Sequence, residues 1–439
     1  MNANVNQRLN ARDRDSIVQA LMAGVVPRVG LAHVQVGRNV EVTALVRDIE
    51  RVVEGGSGVR FIIGEYGAGK TFFLNLVRLV ALEKKCVTIH ADLAPERRLH
   101  ASNGHARALY TEAVRNMATR TKPEGGALQS VIEKFIGECM REAEEGGTSP
   151  EAVIQRRLVT LEDHVGGYDF VTVLRAYWRG SENGNDDLKS AALRWLRGEY
   201  STKTEARAAL GVRNVIEDSN VYDSIKLLSA FVRLAGYSGL MVVFDEMVNI
   251  YKLQHAQSRE KNHEQILRIV NDVLQGSAQH LAFVFGGTPE FLTDSRRGLY
   301  SYEALHSRLA ENSFARNGIV DVNGPVVRLQ SLSQEELLLL LRKVRAVYDA
   351  GKTETVISDE GIMAFMTHCF RKVGEAYFRT PRNTIKAFAQ LLSVLEQNPS
   401  IDWRALLDDV DVAKDHGRMA ETTVEEGDDV DGDLTTIRL

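Results

Sequence analysis

Apolar residues along this chain follow two rhythms. Five short runs rich in β-branched and aromatic residues stand out: Val59–Gly64 (VRFIIG), Cys86–Asp92 (CVTIHAD), Leu240–Glu246 (LMVVFDE), Leu281–Thr288 (LAFVFGGT) and Val326–Leu332 (VVRLQSL). Such runs suit strands buried on both faces of a parallel sheet. Between them apolar residues recur at helical spacing, and strands alternating with helices imply right-handed crossovers and helices on both faces. The fold class expected is therefore α/β, with a five-stranded parallel sheet.

The same reading divides the chain. Residues 12–24 form an amphipathic helix ended by Gly24, and a loop with Pro27, Gly30 and Gly37 leads to a helix over Asn39–Val53 and a turn at Gly55–Gly58. About 145 residues separate the second and third strands, far more than one crossover requires. They read as helical, which makes residues from about 95 to 235 an inserted helical subdomain. Ser333-Gln334-Glu335-Glu336 is a capping box that opens a helical run. The division expected is 1–35 N-terminal helix and linker, 36–332 core with its insertion, 333–410 helical lid, and 411–439 an acidic tail.

Charge sharpens the last boundary. The chain of 439 residues carries a net −5, but residues 421–439 alone hold seven acids against Arg438. The body is near neutral, and the tail has the composition of a segment too polar to fold, with a solubilising role favoured over a partner-binding one. No stretch approaches the roughly 20 apolar residues of a membrane-spanning helix, and the start lacks an apolar signal region. Three scattered cysteines, Cys86, Cys139 and Cys369, suit a reducing cytoplasm better than disulfides or structural zinc.

The chemistry is concentrated after the first strand. Gly64-Glu65-Tyr66-Gly67-Ala68-Gly69-Lys70-Thr71 fits the phosphate-loop pattern GxxxxGK[ST], between a strand and a helix that begins with Phe72. Glycines let successive N–H groups face phosphate oxygens, Lys70 reaches the β and γ phosphates of ATP, and the Thr71 hydroxyl holds Mg²⁺. At the end of LMVVFDE, Asp245 is placed to hold Mg²⁺ through a water and Glu246 to orient and deprotonate the attacking water.

Other residues carry open alternatives. Thr288, at the end of the fourth strand, either positions that water or forms a turn. Thr380 and Pro381 put Arg382 in the first turn of a helix, where the dipole disfavours a cation unless an anion compensates; an ATP phosphate or a local carboxylate serves. Arg296, Arg297, Arg308 and Arg316 follow the fourth strand and are choices for an arginine reaching a neighbouring subunit's γ-phosphate, Arg308 first. Residues 95–123 hold six Lys/Arg against two acids and are either a phosphate-backbone contact or a solvated helix face. Trp178, Trp195 and Trp403 read as core or subunit-contact anchors rather than base-stacking platforms.

These motifs in this order resemble an AAA+ ATPase of the replication-initiator (Orc/Cdc6-like) kind. More narrowly, ALMAGVVPRVGL, VGRNVEV, GEYGAGKTFFL, NGHARALYTEAV, VVFDEMVNIYK, FVFGGTPEFL, YSYEALHSRL and FRTPRNTIKAF resemble the ATP-binding proteins of BREX-type bacteriophage-defence loci, the BrxC/BrxD group, over about residues 12–400. The first resemblance casts Gly37 and Arg38, in a GR-x-x-E segment, as adenine contacts. The second implies a cytoplasmic ATPase of a bacterial or archaeal defence operon, beside a helicase. The function expected is ATP hydrolysis between subunits of a ring or filament, on or near double-stranded DNA. The alternative is an ATP-dependent assembly switch or scaffold with little turnover.

Overall fold

The computed structural model describes residues 9–407 apart from 28, 313, 315–320 and 374–380. The acidic tail, Arg316 and Thr380 lie outside the described residues. Five strands, β1 (Ser57–Ile63), β2 (Val87–Asp92), β3 (Leu240–Asp245), β4 (Leu281–Gly287) and β5 (Val326–Arg328), form one sheet in the order β2-β3-β4-β1-β5, parallel throughout. All five sequence runs are strands. β5 is shorter than its run because the chain leaves the sheet after Arg328 toward the lid. β1 starts two residues early, where Ser57 and Gly58 pair with Leu281 and Ala282 of β4.

Each face of the sheet has its own core. Phe61, Phe244, Phe283 and Phe285 point to one side, and β-branched and small residues such as Ile62, Val243 and Val284 to the other. The second face is covered by the helices Asn39–Val53 and Lys70–Glu83. The aromatic face is covered by the helical insertion, whose seven α-helices run from His105–Arg115 to Val221–Leu234 and share one continuous cluster with the sheet. Trp178 and Trp195 are buried in that cluster, as core anchors. The lone cation of β1, Arg60, is buried and paired with Asp48 of the helix Asn39–Val53; it also donates to the carbonyls of Val322 and Gly324, so nothing charged is left unmatched.

The lid opens at the capping box, where the Ser333 hydroxyl accepts from Glu336 N–H and the Glu336 carboxylate from Ser333 N–H. Its helices Gln334–Asp349, Asp359–Val373 and Pro381–Gln397 build a separate cluster around Leu341, Phe365 and Phe388. The N-terminal helix Ala11–Ala23 joins this cluster through Ile17 and Leu21. Arg14 fixes it by donating to the Tyr348 carbonyl and pairing with Glu396. It ends at Gly24, φ 70°, as the sequence implied. No helix among the described residues is long and apolar enough to cross a membrane.

Candidate functional site

A cavity of about 360 Å³ opens between lid and sheet. Three segments far apart in sequence line it: residues 24–27 and 34–38 with their apolar Val25, Pro27 and Val36, the phosphate loop, and lid residues such as Leu340 and Ile385. Glu246 lines it too. An apolar wall above a floor of backbone amides suits a base at one end and phosphates at the other.

The floor is the loop from Gly64 to Gly69. Gly67 and Gly69 take φ of 73° and 87°, a left-handed backbone that side chains rarely adopt, and Gly69 sits at the N-cap of the helix Lys70–Glu83 with no side chain capping it. The first amides of that helix therefore stay free for an anion. Ala68 is buried and Glu65 and Tyr66 are exposed. Lys70 curls over the loop, its Nζ donating to the carbonyls of Gly64 at 2.8 Å and Glu65 at 2.9 Å, 5.3 Å from the Tyr66 ring centroid. Burial lowers its pKa below the usual lysine range, against the upward pull of Asp245 and Glu246. Phe72 packs onto the lid cluster and so ties the loop's helix to the lid.

Thr71 and Asp245 meet directly: the threonine hydroxyl donates to Asp245 Oδ2 at 2.7 Å. Hydroxyl and buried carboxylate thus stand together where the sequence placed both Mg²⁺ ligands. Asp245 Oδ1 accepts from the backbone N–H of Glu246, which is held at φ 56°. Glu246 is therefore one of few non-glycine residues in the left-handed region, and it lies at the site. Burial first and Asp245 second raise its pKa above the ordinary glutamate value.

Two residues of this rim escaped the sequence reading. Asp92 ends β2 directly beside Asp245, and its pKa is raised by burial and then by Asp245. Gly286 of β4 leaves room for that aspartate: a Cβ there would meet Asp245 Oδ1 at 2.3 Å. The acidic end of CVTIHAD and the paired glycines of FVFGGT were the available signals.

Arg38, φ 59°, N-caps the helix Asn39–Val53 and donates from Nη2 to the Ala68 carbonyl at 2.6 Å. Its Nη1 is buried with no partner among the described residues, and burial lowers its pKa. Gly37 faces the lid, where a Cβ would lie 2.2 Å from Glu336 Oε1. Arg382 lines the cavity from the start of its helix, yet its Nε donates to the Gly24 carbonyl at 2.6 Å. A backbone carbonyl, not a carboxylate, is its local partner.

Most of the remaining choices are bonded into their own surroundings. Thr288 is 1% exposed and N-caps the helix Pro289–Thr293, its hydroxyl accepting from Phe291 N–H at 3.5 Å. Arg308 points back into its own fold: Nε donates to Asn271 Oδ1 at 2.6 Å and Nη1 to the Ala304 carbonyl at 2.8 Å. Arg297 stacks on Tyr251 and donates to the Leu253 carbonyl, whereas the Arg296 side chain is exposed. In the basic stretch 95–123, Arg107 is tied to the Tyr200 carbonyl, Arg115 to Glu199, Arg120 to Glu83 and Lys122 to the Gly126 carbonyl. That stretch is mostly a folded, internally bonded helix and turn.

The residues present fit ATP with Mg²⁺ on three counts. Free helix-start amides and a lysine wait over the loop, an orphaned guanidinium nitrogen is buried beside it, and a hydroxyl–carboxylate pair stands at the strand end. No individually curated protein matches the chain. A family model described as BREX system ATP-binding protein BrxC/D matches residues 9–411, which takes in the lid, the insertion and every segment of the cavity, and the chain belongs to that family.

Proposed function

We propose that the chain binds ATP in this cavity and hydrolyses it between subunits of a homo-oligomer, in bacteriophage defence and on or near DNA. The observation that carries the reading is Glu246, which lines the same cavity as Lys70 and the phosphate loop and directly follows the carboxylate bonded to Thr71. A chain that only bound ATP would not need a strained, half-buried carboxylate at that point.

In this reading the loop amides and Lys70 hold the β and γ phosphates, and the apolar residues from the 24–38 segment and lid hold the base. Thr71 and Asp245 would hold Mg²⁺, which supplies neutralisation of charge on the phosphate oxygens. Glu246 takes a proton from water, whose oxygen bonds to the γ-phosphorus as the bond to the bridging β–γ oxygen breaks, leaving ADP and inorganic phosphate. Its raised pKa makes it a better base than a free glutamate. Arg382 reaches the phosphates only by giving up or sharing the Gly24 carbonyl, which couples nucleotide to the N-terminal helix.

An arginine donated across a subunit boundary belongs to the same proposal. Arg308 must first release Asn271 and Ala304 to serve in that role. A helicase of the same operon remains the proposed partner beside the chain itself.

The test compares Glu246→Gln with wild type. Nucleotide affinity stays within a few-fold while steady-state ATP turnover falls by about 10² to 10⁴, the usual effect of losing a general base. Turnover at the wild-type rate would remove Glu246 from the chemistry, and turnover absent from the wild type with ATP still bound would establish the assembly-switch alternative.

A further inference from the structure

The cations of this fold are unevenly satisfied. Many arginines pair with carboxylates, as Arg157 does with Glu142 in the insertion, Arg345 with Asp359 in the lid, and Arg268 of the helix Ala256–Leu274 with Asp223. On the rim formed by the carboxyl ends of β2, β3 and β4 they do not. Among the described residues, Arg97, Lys252, Arg259, Lys261, Arg296 and Arg297 have no carboxylate within ion-pairing distance, and Arg97, Arg259 and Arg297 donate to backbone carbonyls instead.

Three segments bring them together. The loop after β2 is fastened over the elements after β3: Asn249 Nδ2 donates to the Leu93 carbonyl at 2.8 Å, and Asn262, fully buried, exchanges two hydrogen bonds with the backbone of His100, at 3.0 and 2.9 Å. This loop carries Arg97, whose Nε donates to the Asp92 carbonyl. The turn between the helices Val248–Tyr251 and Ala256–Leu274 carries Lys252 and leads into Arg259 and Lys261. The turn after the helix Pro289–Thr293 carries Arg296 and Arg297. Arg259 and Arg297 converge on one oxygen, the Leu253 carbonyl, at 2.6 and 2.9 Å.

Two guanidinium groups on a single neutral acceptor repel each other, and Asp294 offsets this only in part, since Arg259 stays below its usual pKa. Asp294 is spent on the backbone N–H groups of Arg296 and Arg297 and on the Tyr251 hydroxyl. Burial and then Arg297 hold Arg259 below its usual pKa, and burial and then Lys261 do the same to His100. A face with cations crowded and uncompensated is built to receive an external anion. On the three segments themselves the acids, Glu96, Glu260 and Asp294, are fewer than the cations, while Asp92, Asp245 and Glu246 at the strand ends belong to the nucleotide site beside them.

We infer that this rim, from Arg97 across Lys252 and Lys261 to Arg296, is a docking surface for the phosphodiester backbone of a nucleic acid. A repeating anion matches cations spread over three segments better than a single phosphate does. A lipid surface fits less well, since none of the exposed large apolar side chains of the described residues lies on these segments, and an interfacial anchor needs such side chains. Of the basic stretch 95–123 the patch takes Arg97; the rest of it comes from residues after β3 and β4. The inference does not rest on ATP turnover.

The experiment measures fluorescence anisotropy of labelled DNA duplex, single-stranded DNA and RNA duplex with the full chain, across a salt series. Four to six phosphate contacts give log K falling with log salt at a slope of about −4 to −5 for a duplex. Lys261→Glu and Arg97→Glu each weaken binding about tenfold and make the slope shallower by about one or more. Arg141→Glu, an exposed cation on the insertion helix Leu128–Gly146, leaves both unchanged. Preference among the three probes identifies which nucleic acid supplies the phosphates. No salt-dependent binding by the wild type, equal losses in Arg141→Glu, or rim-dependent binding only to phosphatidylserine vesicles each overturns the assignment. Arg296→Glu that loses ATP turnover with nucleic-acid affinity intact moves that arginine from the patch to a neighbouring subunit's nucleotide.

Discussion

Glu246→Gly is expected to yield a more stable protein that does not hydrolyse ATP. The backbone at Glu246 is left-handed, φ 56°, pinned by the N–H donated to Asp245 Oδ1 at 2.8 Å. Holding a side-chain-bearing residue there costs about 1–2 kcal/mol. Glycine removes that cost but loses more freedom on folding, about 0.5–1 kcal/mol. The net gain is then about 0.5–1 kcal/mol. Removing a carboxylate beside Asp245 adds a gain of its own, so Glu246→Ala, which deletes the charge and keeps the Cβ, is the reference. The glycine variant should exceed the alanine variant by that net amount. Urea unfolding without nucleotide, read by tryptophan fluorescence, reports it, because Trp178 and Trp195 share one core with Phe244 and Met247 and unfold with the strand. An alanine variant as stable as the glycine variant would show that position 246 stores no strain, and the argument from strain to catalysis would fall with it.

Lys70→Ala should abolish tight ATP binding, measured by calorimetry, with the melting temperature unchanged, since Lys70 bonds only to carbonyls of its own loop. Gly286→Ala places a Cβ 2.3 Å from Asp245 Oδ1 and 2.8 Å from Leu74 Cδ1, so Asp245 must move off Thr71; ATP affinity should hold while Mg²⁺-dependent turnover drops about 10²-fold. His263 is 2% exposed, and burial followed by Arg259 lowers its pKa to about 4. A histidine depressed in the folded state stabilises while neutral, so its contribution is complete above about pH 6.5 and is lost as pH falls toward 4, on the order of 3 kcal/mol in all. His263→Gln should flatten the pH dependence of urea midpoints across that window, and an unaltered profile would reject the buried neutral histidine.

What the sequence reveals of this molecule follows from which forces are local. The strands were legible because each buries both faces and so must be apolar throughout, and the phosphate loop because its glycines and Lys70 answer to a geometry eight residues long. Both capping devices, at Gly24 and at Ser333, were legible for the same reason. Residues whose meaning depends on a distant partner were not. Arg60 looks out of place in β1 until Asp48 is seen beneath it, and Arg308 reads as a free surface cation until Asn271 is found holding it. Gly286 looks like one of two interchangeable glycines, although it is the one whose side-chain space belongs to Asp245.

The N-terminal segment shows the same limit with a larger consequence. Its helix is amphipathic, which says that one face is buried but not against what. Ile17 and Leu21 go into the lid core, and from Gly24 the chain runs back across the cavity mouth to Arg38, which grips the phosphate loop at Ala68. One continuous stretch is therefore fixed to the lid at one end and to the loop at the other. Lys343 holds it near its end at the Gln35 carbonyl, and Arg382 holds its start at the Gly24 carbonyl. Any rotation of the lid over bound nucleotide must carry this strap along, because its anchors at Gly24 and Gln35 are lid side chains. The apolar wall offered to the base and the guanidinium offered to the phosphate loop then shift as a unit, which is how a fold with separate cores can make one site respond to its ligand as a whole.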